Sequence, residues 1–337
     1  MTEPLPPDGA SAPVDPPADG APSHRFGLTT FSVEGRRAPG LFVVGWLATL
    51  IGGALAALPL VGVSGVAGAI LWVAGLAGLG VGMVLLGGSQ TVERRAAGDD
   101  YAGPSPVLVF IAVLATSQVA GFAIGLPLSL VAGDIPRPVG DLLGVVIQAA
   151  VFIGVVRLMV VGAGVMRWSD MGLVGRALDR VRGLLAGAVW AGPIILVTAV
   201  LAAAAAQLAG VIPESPLPAT GTVPGLLLHL AAGAVVAPVA EELLFRGFAL
   251  TAWRRTVGPR GAIVRSSIVF VLAHVLFVGG EGFRDAALLA AVAGISRIPV
   301  ALALGWLYVR TGSLWAPIGL HAAYNAVLII LGESAAG

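Results

Sequence analysis

Two adjacent glutamates, Glu241 and Glu242, stand in the apolar run 225–253 and are the only carboxylates inside any apolar stretch of bilayer length. Four arginines (Arg157, Arg246, Arg265, Arg297) and three histidines (His229, His274, His321) also fall in such stretches. A charge at mid-bilayer costs about 2.5–3.5 kcal/mol even on the gentle insertion scale, so each needs a partner or a task. A carboxylate without a cation of its own, set beside a histidine, is the pairing that draws a proton from water. One glutamate with two histidines is also a zinc-type donor set with an open position.

Helix geometry separates the two glutamates. Glu242 and Arg246 are four residues apart, on one face and one turn from each other, with the acid on the favoured N-terminal side. They read as a structural ion pair. Glu241 lies about 100° around the helix, so Arg246 cannot serve both acids equally. Glu241 is then either a second member of that network or an unpaired carboxylate facing a polar cavity.

The elements that must carry these residues follow from composition. Of 337 residues, 57% are hydrophobic and 11% charged, with a mean hydropathy of +0.96. A soluble domain carries about 25% charged residues. The chain cannot cover a water-exposed surface, which excludes a soluble enzyme, a nucleic-acid binder and a disordered chain. The class is all-α: a polytopic transmembrane helical bundle. Cysteine is absent, which removes thiol nucleophiles and thiolate metal sites. All 19 basic residues are arginine, a mark of genome composition rather than of function.

Apolar runs near 41–60, 66–87, 106–131, 142–166, 184–209, 225–253, 262–279, 286–308 and 313–331 give about nine spans. Residues 1–38, with seven prolines in the first 24, form a disordered tail by composition. With the N-terminus inside, inner segments hold 13 arginines and outer loops 2, a positive-inside pattern. Residues 168–183 read as an amphipathic helix on the inner face. Residues 39–183 then form an N-terminal membrane unit, and 184–332 the unit that carries the chemistry.

Depth brings the polar residues together. Glu241 lies 12 residues before the inner end of its span and His274 12 residues into the next, both ~18 Å from that end at ~1.5 Å per residue. His321 is 8 residues into the last span, ~12 Å deep. Asn325 lies one turn further on the same face. Three helices thus bring Glu241, His274, His321 and Asn325 to a similar level. His229 is expected at the outer interface, Arg265 snorkels to the inner surface, and Arg157 and Arg297 need acceptors such as helix carbonyls.

These residues also carry a resemblance. The strings Glu241-Glu242-Leu-Leu-Phe-Arg246-Gly247, Phe270-Val-Leu-Ala-His274 and His321-Ala-Ala-Tyr-Asn325 resemble the three motifs of the CAAX prenyl protease and bacteriocin-processing family (CPBP, Abi-type) of intramembrane proteases. The approach Tyr308-Val-Arg-Thr-Gly-Ser-Leu-Trp-Ala-Pro317 is also similar. The likeness covers roughly residues 184–332 and not the first four spans.

The resemblance implies that Glu241 and His274 activate water, that His321 and Asn325 stabilise the oxyanion, and that Glu242, Arg246 and Phe270 support the site. It implies an intramembrane endopeptidase acting on a membrane-associated protein or peptide at the inner leaflet; members of the family are often named metalloproteases, but the glutamate type with no cofactor is favoured here, because Asn325 suits an oxyanion donor better than a zinc ligand. Zinc held by Glu241, His274 and His321 is the alternative, although no His-Glu-x-x-His string is present. The partners expected are the substrate and the lipid bilayer, without nucleic acid, in a bacterial plasma membrane. The runner-up is a non-proteolytic binding or immunity protein, or a transporter. A transporter should show repeat symmetry and broken helices, and neither is evident.

Overall fold

The computed structural model describes residues 27–213 and 217–336. Of the expected tail, residues 1–26 lie outside these. Residues 27–38, expected to be disordered with them, form ordered turns. The reason is local: the Arg36 guanidinium donates to the carbonyls of Ser32, Gly27 and Thr30 and lies over the Phe42 ring. The backbone N–H of Arg37 donates to Glu93 Oε1 at 2.7 Å.

All regular structure among the described residues is helical. The elements are α1 (Pro39–Ala57), α2 (Gly65–Ala96), α3 (Pro106–Ala132), α4 (Arg137–Val156), α5 (Ala177–Ala188), α6 (Ala191–Ala209), α7 (Val223–Leu230), α8 (Ala237–Glu242), α9 (Thr251–Val275), α10 (Phe283–Thr311) and α11 (Trp315–Ala336). π-helical turns at Ala231–Val236 and Leu243–Leu250 join α7 to α8 and α8 to α9. Among the described residues eight helical stretches are long and apolar enough to cross a membrane, and the chain is an integral membrane protein.

Eight stretches stand against the nine expected because one of them, Val223–Val275, contains two expected spans. Its 53 residues would extend ~80 Å at ~1.5 Å per residue, far beyond a ~30 Å hydrocarbon core. The stretch breaks at Gly258, with φ 77° and ψ 174°, a conformation essentially reserved for glycine. Pro259 opens the second limb, which carries His274.

The segment 168–183 is not the single amphipathic helix expected. It is a 3₁₀ turn at Trp168–Met171, a glycine-broken link and the start of α5. Gly172 and Gly175 both adopt positive φ, at 82° and 89°. The Asp179 carboxylate then accepts the Arg176 backbone N–H and caps α5. The link is tied to the start of α11 by Leu314 N–H to Gly172 O, 3.0 Å, and Trp315 Nε1 to Val174 O, 2.9 Å.

α11, which bears His321, is held along its first half by α5. The backbones approach so closely that a Cβ on Gly187 would strike the Ala316 carbonyl, and one on Gly319 the Leu184 carbonyl. Small residues permit this approach in membrane bundles, where dispersion contacts must supply the attraction. Gly319→Leu should therefore lower the stability of the purified protein by about 1–3 kcal/mol or more. Gly192→Leu, where a Cβ meets nothing within 4 Å, should change it by less than ~0.5 kcal/mol. Thermal melting in detergent checks the pair; equal melting of the two variants would contradict the packing described.

Candidate active site

Glu241 and Glu242 end α8, a short helix between the two π-helical turns. Glu242 is fully buried. Its Oε1 accepts from Arg246 NH1 at 2.9 Å and from His321 Nδ1 at 2.8 Å. The Arg246 side chain, also fully buried, donates through NH2 to the Ala301 carbonyl of α10 at 3.1 Å. The ion pair expected from spacing is present, and it has gained a histidine from another helix.

Phe270 packs these groups together. Its ring lies under the Arg246 guanidinium, 4.4 Å from centroid to Cζ. It meets the His274 ring at 4.4 Å and the His321 ring edge-on at 5.7 Å. Its carbonyl receives His274 Nδ1 at 2.8 Å. A carbonyl only accepts, so Nδ1 carries the proton, and in neutral His274 the lone pair sits on Nε2. Nδ1 of His321 faces a carboxylate, which fixes it as a donor in the same way.

The Nε2 atoms of both imidazoles point to one carboxylate oxygen. Glu241 Oε2 lies 3.6 Å from His274 Nε2 and 3.9 Å from His321 Nε2. This oxygen is buried and has no hydrogen-bond partner among the described residues. Ionised Glu241 and neutral His274 are both acceptors, so a molecule seated between them must bring the protons. Water fits that requirement.

Asn325 is positioned by a defect in the helix before α8. In the π-helical turn Ala237 N–H bonds to Ala232 O, five residues back. The next donor in that register would be residue 238, which is proline and has no N–H. The Gly233 carbonyl is left without its helical partner and instead accepts Asn325 Nδ2 at 2.7 Å. One amide hydrogen holds the side chain, and the second remains to donate.

His274, His321 and Asn325 line a cavity of ≈ 600 Å³ between α6, α9, α10 and α11. Glu241 does not line it directly; the imidazoles that contact Glu241 do. The structure thus brings Glu241, His274, His321 and Asn325 into one neighbourhood, with Glu242, Arg246 and Phe270 behind them. No group of three or more His, Cys, Asp or Glu side chains among the described residues is arranged to hold a metal ion.

Other polar residues differ from expectation. His229 is not interfacial: its side chain is 2% exposed, and Nε2 lies 3.0 Å from Asp141 Oδ2. α4 begins at Arg137, before the apolar run, so Asp141 falls within the helix and reaches α7. Arg297 donates to its own helix carbonyl at Ala293, 2.7 Å, as expected of an arginine within a span. It also lines the cavity. Arg157 and Arg265 are exposed.

Removing one member of a buried pair leaves an uncompensated charge, at a cost of about 3–5 kcal/mol. Arg246→Met should therefore be poorly folded, and Arg246→Met with Glu242→Leu should recover much of the loss. Expression and thermal melting of the single and double variants check this. A single variant as stable as the parent would contradict it.

Residues 223–327 match a family model described as Rce1-like, Type II CAAX prenyl endopeptidase Rce1-like. No curated protein matches the chain, and no solved structure does. The matched stretch opens with α7, closes within α11 and contains every residue of the cluster, while α1 to α6 lie outside it. Residues 223–327 are thus similar to the Rce1-like family of type II CAAX prenyl endopeptidases.

Proposed function

We propose that the protein is an intramembrane endopeptidase in which Glu241 is the general base. The observation that carries this reading is the Glu241 carboxylate itself: its Oε2 is buried, has no hydrogen-bond partner among the described residues, pairs with no arginine, and faces two imidazole nitrogens at 3.6 and 3.9 Å. The family of residues 223–327 supports a peptidase acting on a membrane-held peptide.

In the proposed reaction water lies against Glu241 Oε2 and His274 Nε2. Glu241 takes one proton and His274 orients the other. The water oxygen bonds to the scissile carbonyl carbon, and charge builds on the carbonyl oxygen. The free Asn325 N–H donates to that oxyanion. Nδ1 of His321 is committed to Glu242, so its Nε2 faces the oxyanion with a proton only when it shares the one that Glu241 has taken from water, as the charge develops. The C–N bond then breaks, and the leaving amine takes the proton held by Glu241. No step needs a metal.

The excess of arginine in alternate segments, 13 against 2, places the N-terminus on the inner side under this reading. Cleavage then occurs below the inner surface, and a bacterial plasma membrane is the location that fits. The cavity walls are largely apolar alanine, isoleucine, valine and leucine, which suits a substrate segment that enters from lipid.

Glu241→Gln should lower cleavage of a peptide substrate by about 10²–10⁴-fold, the usual range for a lost general base, with an unchanged melting temperature. Asn325→Ala should lower it by about 10²–10³-fold, as for one lost oxyanion donor. Full activity in Glu241→Gln would overturn the assignment. A separate check is dialysis of the purified enzyme against a chelator. Activity should persist, and loss that zinc alone restores would reassign Glu241, His274 and His321 as ligands.

A further inference from the structure

Arg297 stands midway along α10, ~21 Å from either end at ~1.5 Å per residue. This is the level at which a cation is most costly. Its side chain lines the ≈ 600 Å³ cavity together with His274, His321 and Asn325. Among the described residues it makes one hydrogen bond, to Ala293 O, and pairs with no carboxylate. A guanidinium has five N–H donors in a planar fork that matches a carboxylate.

We propose that Arg297 binds a carboxylate of the peptide substrate, either its C-terminus or an acidic side chain, while the peptide lies in the cavity against His274 and His321. The proposal rests on the peptidase reading above. Depth argues against a lipid headgroup as the anion, because phosphates lie at the membrane surface and Arg297 sits near the middle of its helix. The shared cavity argues for the substrate, since whatever reaches His274 and His321 also reaches Arg297. A bound carboxylate would neutralise Arg297 and set the position of the scissile bond. A merely structural arginine, capping its own helix before Pro299, would give no preference among substrates by charge.

The test uses the full-length protein in a nanodisc and three peptides of one sequence: a C-terminal acid, its amide, and the acid with its internal Glu replaced by Gln. The parent should favour the carboxylate-bearing form by roughly 10–100-fold in kcat/KM, chiefly through KM, as for a charged hydrogen bond. In Arg297→Gln that preference should collapse, and Arg297→Lys should restore part of it. Loss of preference on amidation assigns the terminal carboxylate; loss on Glu replacement assigns the side chain. Equal use of all three peptides by the parent, or a preference that survives Arg297→Gln, overturns the proposal. Inhibition by anionic lipid that depends on Arg297, without any peptide preference, overturns it in favour of a lipid site. If the parent cleaves none of the peptides, the peptidase reading fails separately. Binding of the same peptides to Glu241→Gln then decides: an acid-over-amide preference that needs Arg297 supports the proposal, and its absence overturns it.

Discussion

Arg246 can neutralise only one of two neighbouring carboxylates, and the rest of the site depends on that inequality. Its guanidinium is spent on Glu242, on the Ala301 carbonyl and on the Phe270 ring. Glu242 in turn takes Nδ1 of His321. One acid becomes a buried structural anchor that ties α8, α10 and α11 together. The other keeps a carboxylate oxygen that faces two imidazole nitrogens, at 3.6 and 3.9 Å. In a low-dielectric interior such a group is costly, and the helices around it must hold it in place.

They do so largely through backbone irregularities. Proline at position 238 removes a donor inside a π-helical turn, and the freed Gly233 carbonyl fixes Asn325. The π-helical turn after Glu242 frees its own backbone groups as well: Ser266 from α9 donates to the Phe245 carbonyl at 2.9 Å, and the Thr251 hydroxyl donates to the Arg246 carbonyl at 3.4 Å. Gly258 turns the chain so that a second limb returns with His274. The glycine-lined contact between α5 and α11 then sets the depth of His321. Each π-helical turn would weaken an isolated helix, and the carbonyls freed at Gly233 and Phe245 are taken up by side chains from other helices.

Much of this was legible in the residues alone. The Glu242–Arg246 pair followed from a four-residue spacing, and the shared depth of Glu241, His274 and His321 followed from counting residues from apolar boundaries. What could not be read depends on contacts between helices distant in sequence. Nothing near His321 signals that Nδ1 will meet Glu242, 79 residues away. Nothing near Asp141 signals that it will reach His229, and the hydropathy boundary placed that acid outside the helix. The 168–183 segment has an amphipathic pattern, yet two glycines with positive φ interrupt it, because hydropathy records which face is apolar and not where the backbone must turn. The π-helical turns were equally invisible, since one extra residue per turn barely alters an already apolar pattern.

The most direct test of the central claim is a high-resolution experimental density map of the gap between Glu241 and His274. The account predicts one water at hydrogen-bonding distance, about 2.7–3.0 Å, from both Glu241 Oε2 and His274 Nε2, with Arg246 still bound to Glu242. A metal ion in that gap, or Glu241 paired with an arginine or turned toward lipid, would contradict it.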